Sequence, residues 1–209
     1  MWPRKSYAQM GEDLILENIL NSKGIRAQDV KYLDIGVSHP IESNNTFLFY
    51  EKGARGVLVD PDPSIVKEIE HCRPEDKFVA CAVAEYDNKF VDYYILTART
   101  LNTIIKEKAI KMTQMPETYG KQNIINTMQI PTKNINSIIS ENFITCPNLI
   151  SIDTEGMDYK IVKMIDFSKY APLVICIEIN EDCSEVKSFL QTKGYGAVCD
   201  NSLNLIFVR

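Results

Sequence analysis

The sequence lacks a long basic run, a long apolar run and an apolar N-terminal segment, and each absence excludes a class of protein. Lys and Arg number 23 against 28 Asp and Glu, so a sequence-independent grip on nucleic-acid phosphates is not expected. No stretch of about 18 apolar residues occurs, which argues against a membrane-spanning helix. The opening MWPRKSYAQMGED has no apolar core of the kind found in signal peptides, which predicts a cytoplasmic protein.

Paired cysteines and histidine clusters are also missing. None of the six cysteines forms a CxxC pair, and Cys81, Cys176 and Cys199 fall inside apolar runs. This pattern is typical of small buried hydrophobic residues in a reducing compartment. Two histidines, His39 and His71, are too few for a histidine-rich metal site.

The sequence does contain short apolar runs that alternate with amphipathic segments. Runs that are apolar at every position predict strands buried on both faces, and strand–helix–strand repeats predict a doubly wound α/β fold with a mostly parallel sheet. The predicted strands are KYLDIG, GVLVDPDP, KFVACAVA, LISIDTEG and LVICIEIN, followed by the closing pair YGAVCDN and LNLIFVR. We expect that closing pair to form an antiparallel hairpin around Asn201-Ser202.

The length of 209 residues suits a single domain, 1–209, with an N-terminal helix at 12–22. Residues 86–142 interrupt this alternation of strands and helices. They predict a loop-rich insertion on the acceptor side, where a second substrate would bind. In it, KFVDYYIL reads as an added strand paired with the strand before or after it. Several aromatic and methionine residues there either line an acceptor pocket or pack in the core: Tyr93, Tyr94, Met112, Met115 and Tyr119.

Polar residues end four of the predicted strands, and in open parallel sheets ligands bind beyond those ends. Buried charge is costly unless it is paired or used, so these acids predict a ligand site. The strand-end residues are Asp34 and Gly36, Asp60 and Asp62, Asp153 and Glu155, and Glu178 and Asn180.

The spacing from Gly36 to Asp60 predicts a nucleoside ligand. Asp60 follows the glycine by 24 residues at the end of the second strand, as expected for a carboxylate that accepts hydrogen bonds from a ribose diol. A dinucleotide would need further glycines after Gly36, where His39 and Pro40 stand instead. A nucleoside with an amino-acid tail fits better, with its amine and sulfonium facing Asp34 and Asp153, and this predicts S-adenosylmethionine.

Three segments resemble the FkbM-type methyltransferase family: SYAQMGEDLIL, YLDIGVSHPIESNNTFLFYEKGARGVLVDPDPSIV and LISIDTEGMDYKIVKMI. The resemblance spans about residues 6–70 and 125–180. It implies a class I, Rossmann-like methyltransferase fold, S-adenosylmethionine as cofactor and O-methylation, often of sugars or other secondary metabolites. The implied partner is therefore a small-molecule or glycan acceptor.

The same resemblance implies roles for individual residues around the cofactor. Asp34 and Gly36 would lie near the methionine tail, Asp60 on the ribose with Asp62 nearby, and Asp153 against the amine. The remaining implied contacts are Cys81, Ala82 and Val83 beside the adenine, and Gln9 and Asp13 closing over the cofactor from the N-terminal helix.

Methyl transfer to a hydroxyl needs a base or a metal, because an aliphatic hydroxyl is a poor nucleophile. The candidates are His39, Glu155 and Glu178, with the alternative that His39 only orients the hydroxyl by hydrogen bonding. Each also has an ordinary interpretation: a surface loop histidine, an acid at a helix N-terminus, and an ion pair with an insertion lysine. Asp153, Glu178 and Asn180 offer oxygen ligands for Mg²⁺, although no metal is expected.

Two other functions remain open at this stage. One is a non-catalytic methyltransferase-fold module that binds a nucleoside or a protein. The other is a nicotinamide dehydrogenase, which the His39-Pro40 pair disfavours.

Overall fold

The computed structural model describes residues 5–179 and 183–209. The strands of this part of the chain are β1 Tyr32–Ile35, β2 Val57–Val59, β3 Lys77–Val79, β4 Ala82–Val83, β5 Phe90–Leu96, β6 Ile124–Lys133, β7 Leu149–Ile152, β8 Val174–Glu178, β9 Gly196–Asp200 and β10 Asn204–Val208. Its α-helices are α1 Glu12–Ser22, α2 Phe47–Glu51, α3 Val66–Cys72, α4 Lys106–Gln114, α5 Pro116–Tyr119, α6 Ile135–Asn142, α7 Asp158–Met164 and α8 Ser184–Thr192.

Seven strands form a central sheet in the order β3-β2-β1-β7-β8-β10-β9. The first five in that order run parallel, and β10 pairs antiparallel with both β8 and β9. Every residue of β1, β2 and β7 is buried, as expected for strands covered on both faces. The predicted α/β class, the mostly parallel sheet and the C-terminal antiparallel hairpin are confirmed.

Helices cover both faces of this sheet and build two apolar clusters. On one face, Leu16 of α1, Ile69 of α3 and Leu58 of β2 belong to one cluster of buried apolar residues. On the other, Ile138 of α6 and Ile161 of α7 belong to the cluster that contains residues of β1, β7 and β8. The sheet is therefore the central layer, and its strand ends remain available for a site.

The predicted N-terminal helix is confirmed, since α1 spans Glu12–Ser22. Its first-turn acids are buried and paired. Glu12 accepts hydrogen bonds from the side-chain amides of Asn201 and Asn204, which ties the helix to the C-terminal hairpin. Asp13 accepts from the Ser6 hydroxyl at 2.6 Å.

The prediction that KFVACAVA forms a single strand is wrong. The chain leaves the central sheet after β3 and turns at Cys81, whose backbone N–H donates to the carbonyl of Val79. The following β4 pairs with β6 in a separate three-stranded sheet of order β4-β6-β5. An unbroken apolar run cannot reveal this change of sheet, because apolar residues continue from the partly exposed β3 into the buried β4 without interruption.

The description of 86–142 as loop-rich is also wrong. Strands β5 and β6 pair antiparallel there, so the added strand pairs with the strand after it. Helices α4, α5 and α6 occupy much of the remainder, and α6 contributes Ile135 and Ile138 to the main core. Most of β6 faces solvent, so its polar residues hid the strand pattern.

Two predictions from composition concern membranes and cysteines. Within 5–179 and 183–209, no helix is long and apolar enough to cross a lipid bilayer. All six cysteines are free thiols. Cys81 and Cys176 are buried as predicted, whereas Cys199 lies on the edge strand β9 and is only partly buried.

Candidate functional site

A cavity of about 410 Å³ opens at the carboxyl ends of β1, β2, β7 and β8. It lies where chain order reverses between β1 and its neighbour β7, the point at which open parallel sheets bind ligands. The predicted site residues that line it are Gln9, Gly36, His39, Asp60, Asp62, Cys81, Ala82, Asp153, Glu155 and Glu178. Asp13 and Asp34 are not part of the lining.

The loop after β1 approaches the end of β7 so closely that only glycine fits at position 36. A Cβ on Gly36 would lie 1.6 Å from the carbonyl oxygen of Asp153, and the residue has φ 85°. Beyond it, Ser38 has φ 50° and directs its backbone N–H to Asp60 Oδ2 at 2.9 Å. Within residues 5–179 and 183–209, the buried Ser38 hydroxyl has no hydrogen-bond partner, so the cavity wall holds an unused polar atom.

Asp60 is fixed by two backbone donors from different loops. Oδ2 accepts from Ser38 N, and Oδ1 accepts from Asp62 N at 2.8 Å. Burial raises the pKa of Asp60 to about 6, against the lowering effect of those two hydrogen bonds. Asp62 in turn accepts from Ser64 N and, at 3.4 Å, from the side-chain amide of Asn102 in the insertion.

Three carboxylates converge on the other side of the cavity. Oxygens of Asp153, Glu155 and Glu178 lie within 4.8 Å of one another. Burial raises the pKa of Asp153 well above its ordinary value, and the charge of Glu178 adds to this effect. The set can balance a cation, either an organic amine or a metal ion. Asn180, the third ligand considered from the sequence, lies outside the described residues.

Glu155 forms an ion pair with an insertion lysine. Lys108 Nζ lies 2.6 Å from Glu155 Oε2, and both side chains are about five-sixths buried, with 16% and 15% exposed. The sequence had suggested such a pair for Glu178. Burial raises the pKa of Glu155, and the Lys108 ammonium opposes that rise.

Asp158, which the sequence analysis missed, holds the loop between β7 and α7. Its Oδ1 accepts from Thr154 N at 2.7 Å, and its Oδ2 accepts from Gly156 N at 3.0 Å. An acid at the start of a helix, two residues after a glycine, was the available signal.

The His39 ring makes its hydrogen bonds within its own loop. Nδ1 accepts from the backbone N–H groups of Ile41 at 3.1 Å and Glu42 at 2.8 Å. This pattern assigns the ring hydrogen of neutral His39 to Nε2, so the free side of the ring donates a hydrogen bond.

Asp34 and Asp13 lie outside the cavity lining and hold neighbouring segments through hydrogen bonds. Asp34 Oδ2 accepts from the Thr46 hydroxyl at 2.7 Å and from Asn44 Nδ2 at 3.1 Å. Asp13 accepts from Ser6 and from the backbone N–H of Tyr7, which fixes the segment before α1.

A fully buried arginine, Arg73, completes the network beneath the loop after β1. It forms an ion pair with Asp76 at 2.8 Å and donates to the hydroxyls of Tyr32 and Thr46, both at 3.0 Å. It also donates to Asn44 Oδ1 at 3.1 Å. Sequence reasoning missed Arg73, because an arginine before a proline in a polar turn looks like a surface residue.

The remaining wall of the cavity is largely apolar. Cys81, Ala82 and Val83 line it together with Tyr93 and Leu101. Of the aromatic and methionine residues proposed for an acceptor pocket, only Tyr93 lines this cavity. Tyr94, Met112 and Tyr119 pack together in a separate apolar cluster. Of the two alternatives for these residues, an acceptor pocket or core packing, the structure therefore supports core packing.

The insertion contributes one cationic residue to the lining, Arg99. Its guanidinium binds Glu68 of α3 through two hydrogen bonds of 3.1 and 3.2 Å. The pair therefore bridges the insertion and the α3 side of the cavity mouth.

The family model described as methyltransferase FkbM domain matches residues 34–196 of the 209-residue chain. The matched range begins within β1 and includes each strand end that lines the cavity. No curated protein matches the chain significantly.

Proposed function

We propose, since the chain belongs to the FkbM methyltransferase family, that it transfers a methyl group from S-adenosylmethionine to a hydroxyl of a sugar, glycan or small metabolite. The sheet order and the location of the cavity support a class I, Rossmann-like methyltransferase architecture. The observation that carries the proposal is Asp60, which two backbone N–H groups fix in the wall of the cavity.

The residues around Asp60 fit a nucleoside. Each of its oxygens accepts one backbone hydrogen bond and keeps acceptor capacity for a ribose hydroxyl. The unpartnered Ser38 hydroxyl offers a further polar contact, and Ala82 and Val83 form an apolar surface suited to adenine. The proposed ligand has no pyrophosphate, so the loop after β1 does not need bare backbone at this point. A residue with a large side chain, His39, is therefore compatible with the ligand.

The carboxylate of Asp153, in the cavity wall, suits the amine of the cofactor's amino-acid tail. When bound, S-adenosylmethionine supplies an electrophilic methyl group. The protein's tasks are then to orient the acceptor hydroxyl and to take its proton.

Among the three candidate bases we favour Glu178. His39 uses the lone pair of Nδ1 within its loop and presents an N–H, so we assign it the orienting of the acceptor by donation. Glu155 is held by Lys108, which favours its ionised form and opposes proton uptake. Glu178 lies at the end of β8 in the cavity wall, beside Asp153.

Asp34 and Asp13 act as positioning residues in this proposal. Asp34, Asn44 and Thr46 anchor the loop that carries Ser38 and His39. Asp13 fixes the segment before α1, next to which Gln9 contributes to the cavity wall.

Transfer of a labelled methyl group tests the reaction. The protein is incubated with methyl-labelled S-adenosylmethionine and a panel of hydroxylated sugars and glycosides, and the products are separated by mass. We expect label on an oxygen of at least one neutral sugar. Label found only on nitrogen would show that the protein is an N-methyltransferase and not an O-methyltransferase. Cofactor binding without any transfer would favour the non-catalytic module.

A paired change of protein and ligand tests Asp60. We expect Asp60→Ala to weaken S-adenosylhomocysteine by about 1.5–3 kcal/mol, the range for charge-assisted hydrogen bonds. An analogue without the ribose diol should bind the wild type and the variant about equally. If the variant discriminates between the two ligands as strongly as the wild type does, Asp60 does not contact the ribose.

A further inference from the structure

Helix α4 of the insertion sends one charged side chain toward the carboxylate cluster of Asp153, Glu155 and Glu178. Lys108 Nζ lies 2.6 Å from Glu155 Oε2, and neither side chain is more than 16% exposed. An ion pair shielded to this degree is screened by solvent far less than a surface pair. It therefore contributes to the charge that the cluster presents to a ligand.

The backbone conformation of the loop between β7 and α7 leaves room for this lysine beside Gly156. Glu155 has φ 53°, a left-handed conformation that is uncommon for a residue with a side chain. Gly156 follows at φ 119°, and a Cβ on it would lie 3.1 Å from Lys108 Cδ. The Thr103 hydroxyl, also from the insertion, donates to the carbonyl of Glu155 at 2.9 Å. Backbone conformation, a glycine and a second insertion residue thus all favour the same pairing.

The charges of the cluster explain what the lysine does. Three carboxylates within 4.8 Å repel one another, and the raised pKa of Asp153 reflects that repulsion together with burial. One fixed ammonium beside Glu155 offsets part of the negative charge that the cluster presents to the cation of a ligand.

We infer that Lys108 is the built-in counter-cation of this carboxylate cluster and a specificity-determining residue for ligand charge at the cofactor site. This inference rests on the proposed function. S-adenosylmethionine and S-adenosylhomocysteine share the adenosine and the amino-acid tail, and differ by the methyl group and the sulfonium charge. Without Lys108 the cluster loses one positive charge and, at a pH where Glu155 is ionised, presents more negative charge, so the more cationic ligand gains affinity relative to its product.

The test is calorimetric titration of both ligands, with the ratio of their dissociation constants as readout. Lys108→Met keeps an apolar stem against Gly156 and removes the charge. We expect it to shift the ratio toward S-adenosylmethionine on the order of fivefold, the scale for one charge in a partly shielded site. Lys108→Arg should keep the wild-type ratio. The double variant Lys108→Met with Glu155→Gln removes one charge of each sign and should restore the ratio to within about twofold of wild type.

Lys111→Gln is the matched control, because this exposed lysine lies one turn along the same helix. It should leave the ratio unchanged, and denaturant unfolding of each variant shows that the fold is kept. An unchanged ratio in folded Lys108→Met overturns the inference and leaves the cofactor assignment in place. A parallel loss of both ligands also overturns it, because a merely structural lysine does that. If the wild type binds neither ligand, the proposed function fails, and this inference fails with it.

Discussion

Cofactor affinity should depend on pH through Asp60. Burial raises the pKa of this carboxyl to about 6 in the ligand-free protein, so it gains a proton between pH 7 and pH 5. A protonated carboxyl loses part of its acceptor capacity for the ribose diol. Affinity for S-adenosylhomocysteine should therefore rise as pH increases through 6 and level off above about 7.

The magnitude follows from the degree of ionisation. With a pKa of about 6, about one tenth of Asp60 is ionised at pH 5. The dissociation constant at pH 5 should therefore be about tenfold higher than above pH 7, which corresponds to a loss of about 1.4 kcal/mol in binding free energy. In the ligand-free protein the sign for stability is opposite. The folded state binds more protons than the unfolded state between about pH 4 and 6, so Asp60 lowers the free energy of unfolding as pH rises across that window.

Calorimetric titrations of S-adenosylhomocysteine from pH 5 to 8 measure this dependence. Asp60→Asn, which cannot ionise, serves as the control because Asp153 in the same cavity also has a raised pKa. The difference between wild type and variant isolates the contribution of Asp60. An equal dependence in both proteins, or a flat wild-type profile from pH 5 to 7, would refute the reasoning.

Three further predictions concern other residues. Glu178→Gln should lower turnover about 100-fold or more and leave product affinity within a few-fold, and retained turnover would move the base role elsewhere. Asp153→Asn should weaken S-adenosylmethionine, whereas EDTA should leave binding and turnover unchanged; a loss of turnover with EDTA would make the carboxylate cluster a metal site instead. Arg73→Met should lower the free energy of unfolding by about 3–5 kcal/mol, because it leaves buried Asp76 unpaired. The exposed Arg26→Met should cost less than about 1 kcal/mol, and equal losses in denaturant unfolding would contradict that assignment.

The parts of the site that the sequence predicted share a simple cause. Parallel strands bring their carboxyl ends to one edge of the sheet, so residues that follow different strands become neighbours. Gly36, Asp60, Asp153 and Glu178 line one cavity for this reason. Alternating strands and amphipathic helices likewise predicted the sheet and the N-terminal helix.

The parts that could not be predicted depend on contacts between distant segments. Glu155 pairs with Lys108, and nothing in the local sequence of either residue names the other. Arg73 looked exposed, because its buried partners come from β1 and from the residues just before α2. The break at Cys81 was hidden for another reason, since apolar residues continue across the change of sheet.

The direction of the His39 ring illustrates a third limit. The sequence suggested either a base or a residue that orients the acceptor, because histidine can accept or donate. The choice depends on which nitrogen the loop occupies, and Nδ1 accepts from two backbone N–H groups in that loop. Such a local hydrogen bond becomes visible only once the turn is known.

The most direct measurement of the central claim is a calorimetric titration of the wild-type protein with S-adenosylhomocysteine and, separately, with NAD. We expect one site with a micromolar dissociation constant for S-adenosylhomocysteine and no binding of NAD. In the proposed function Asp60 binds the ribose and the carboxylate cluster faces the amine, and among the described residues the cavity lining has no glycine-rich cradle for a pyrophosphate. Binding of NAD in preference to S-adenosylhomocysteine would contradict the account.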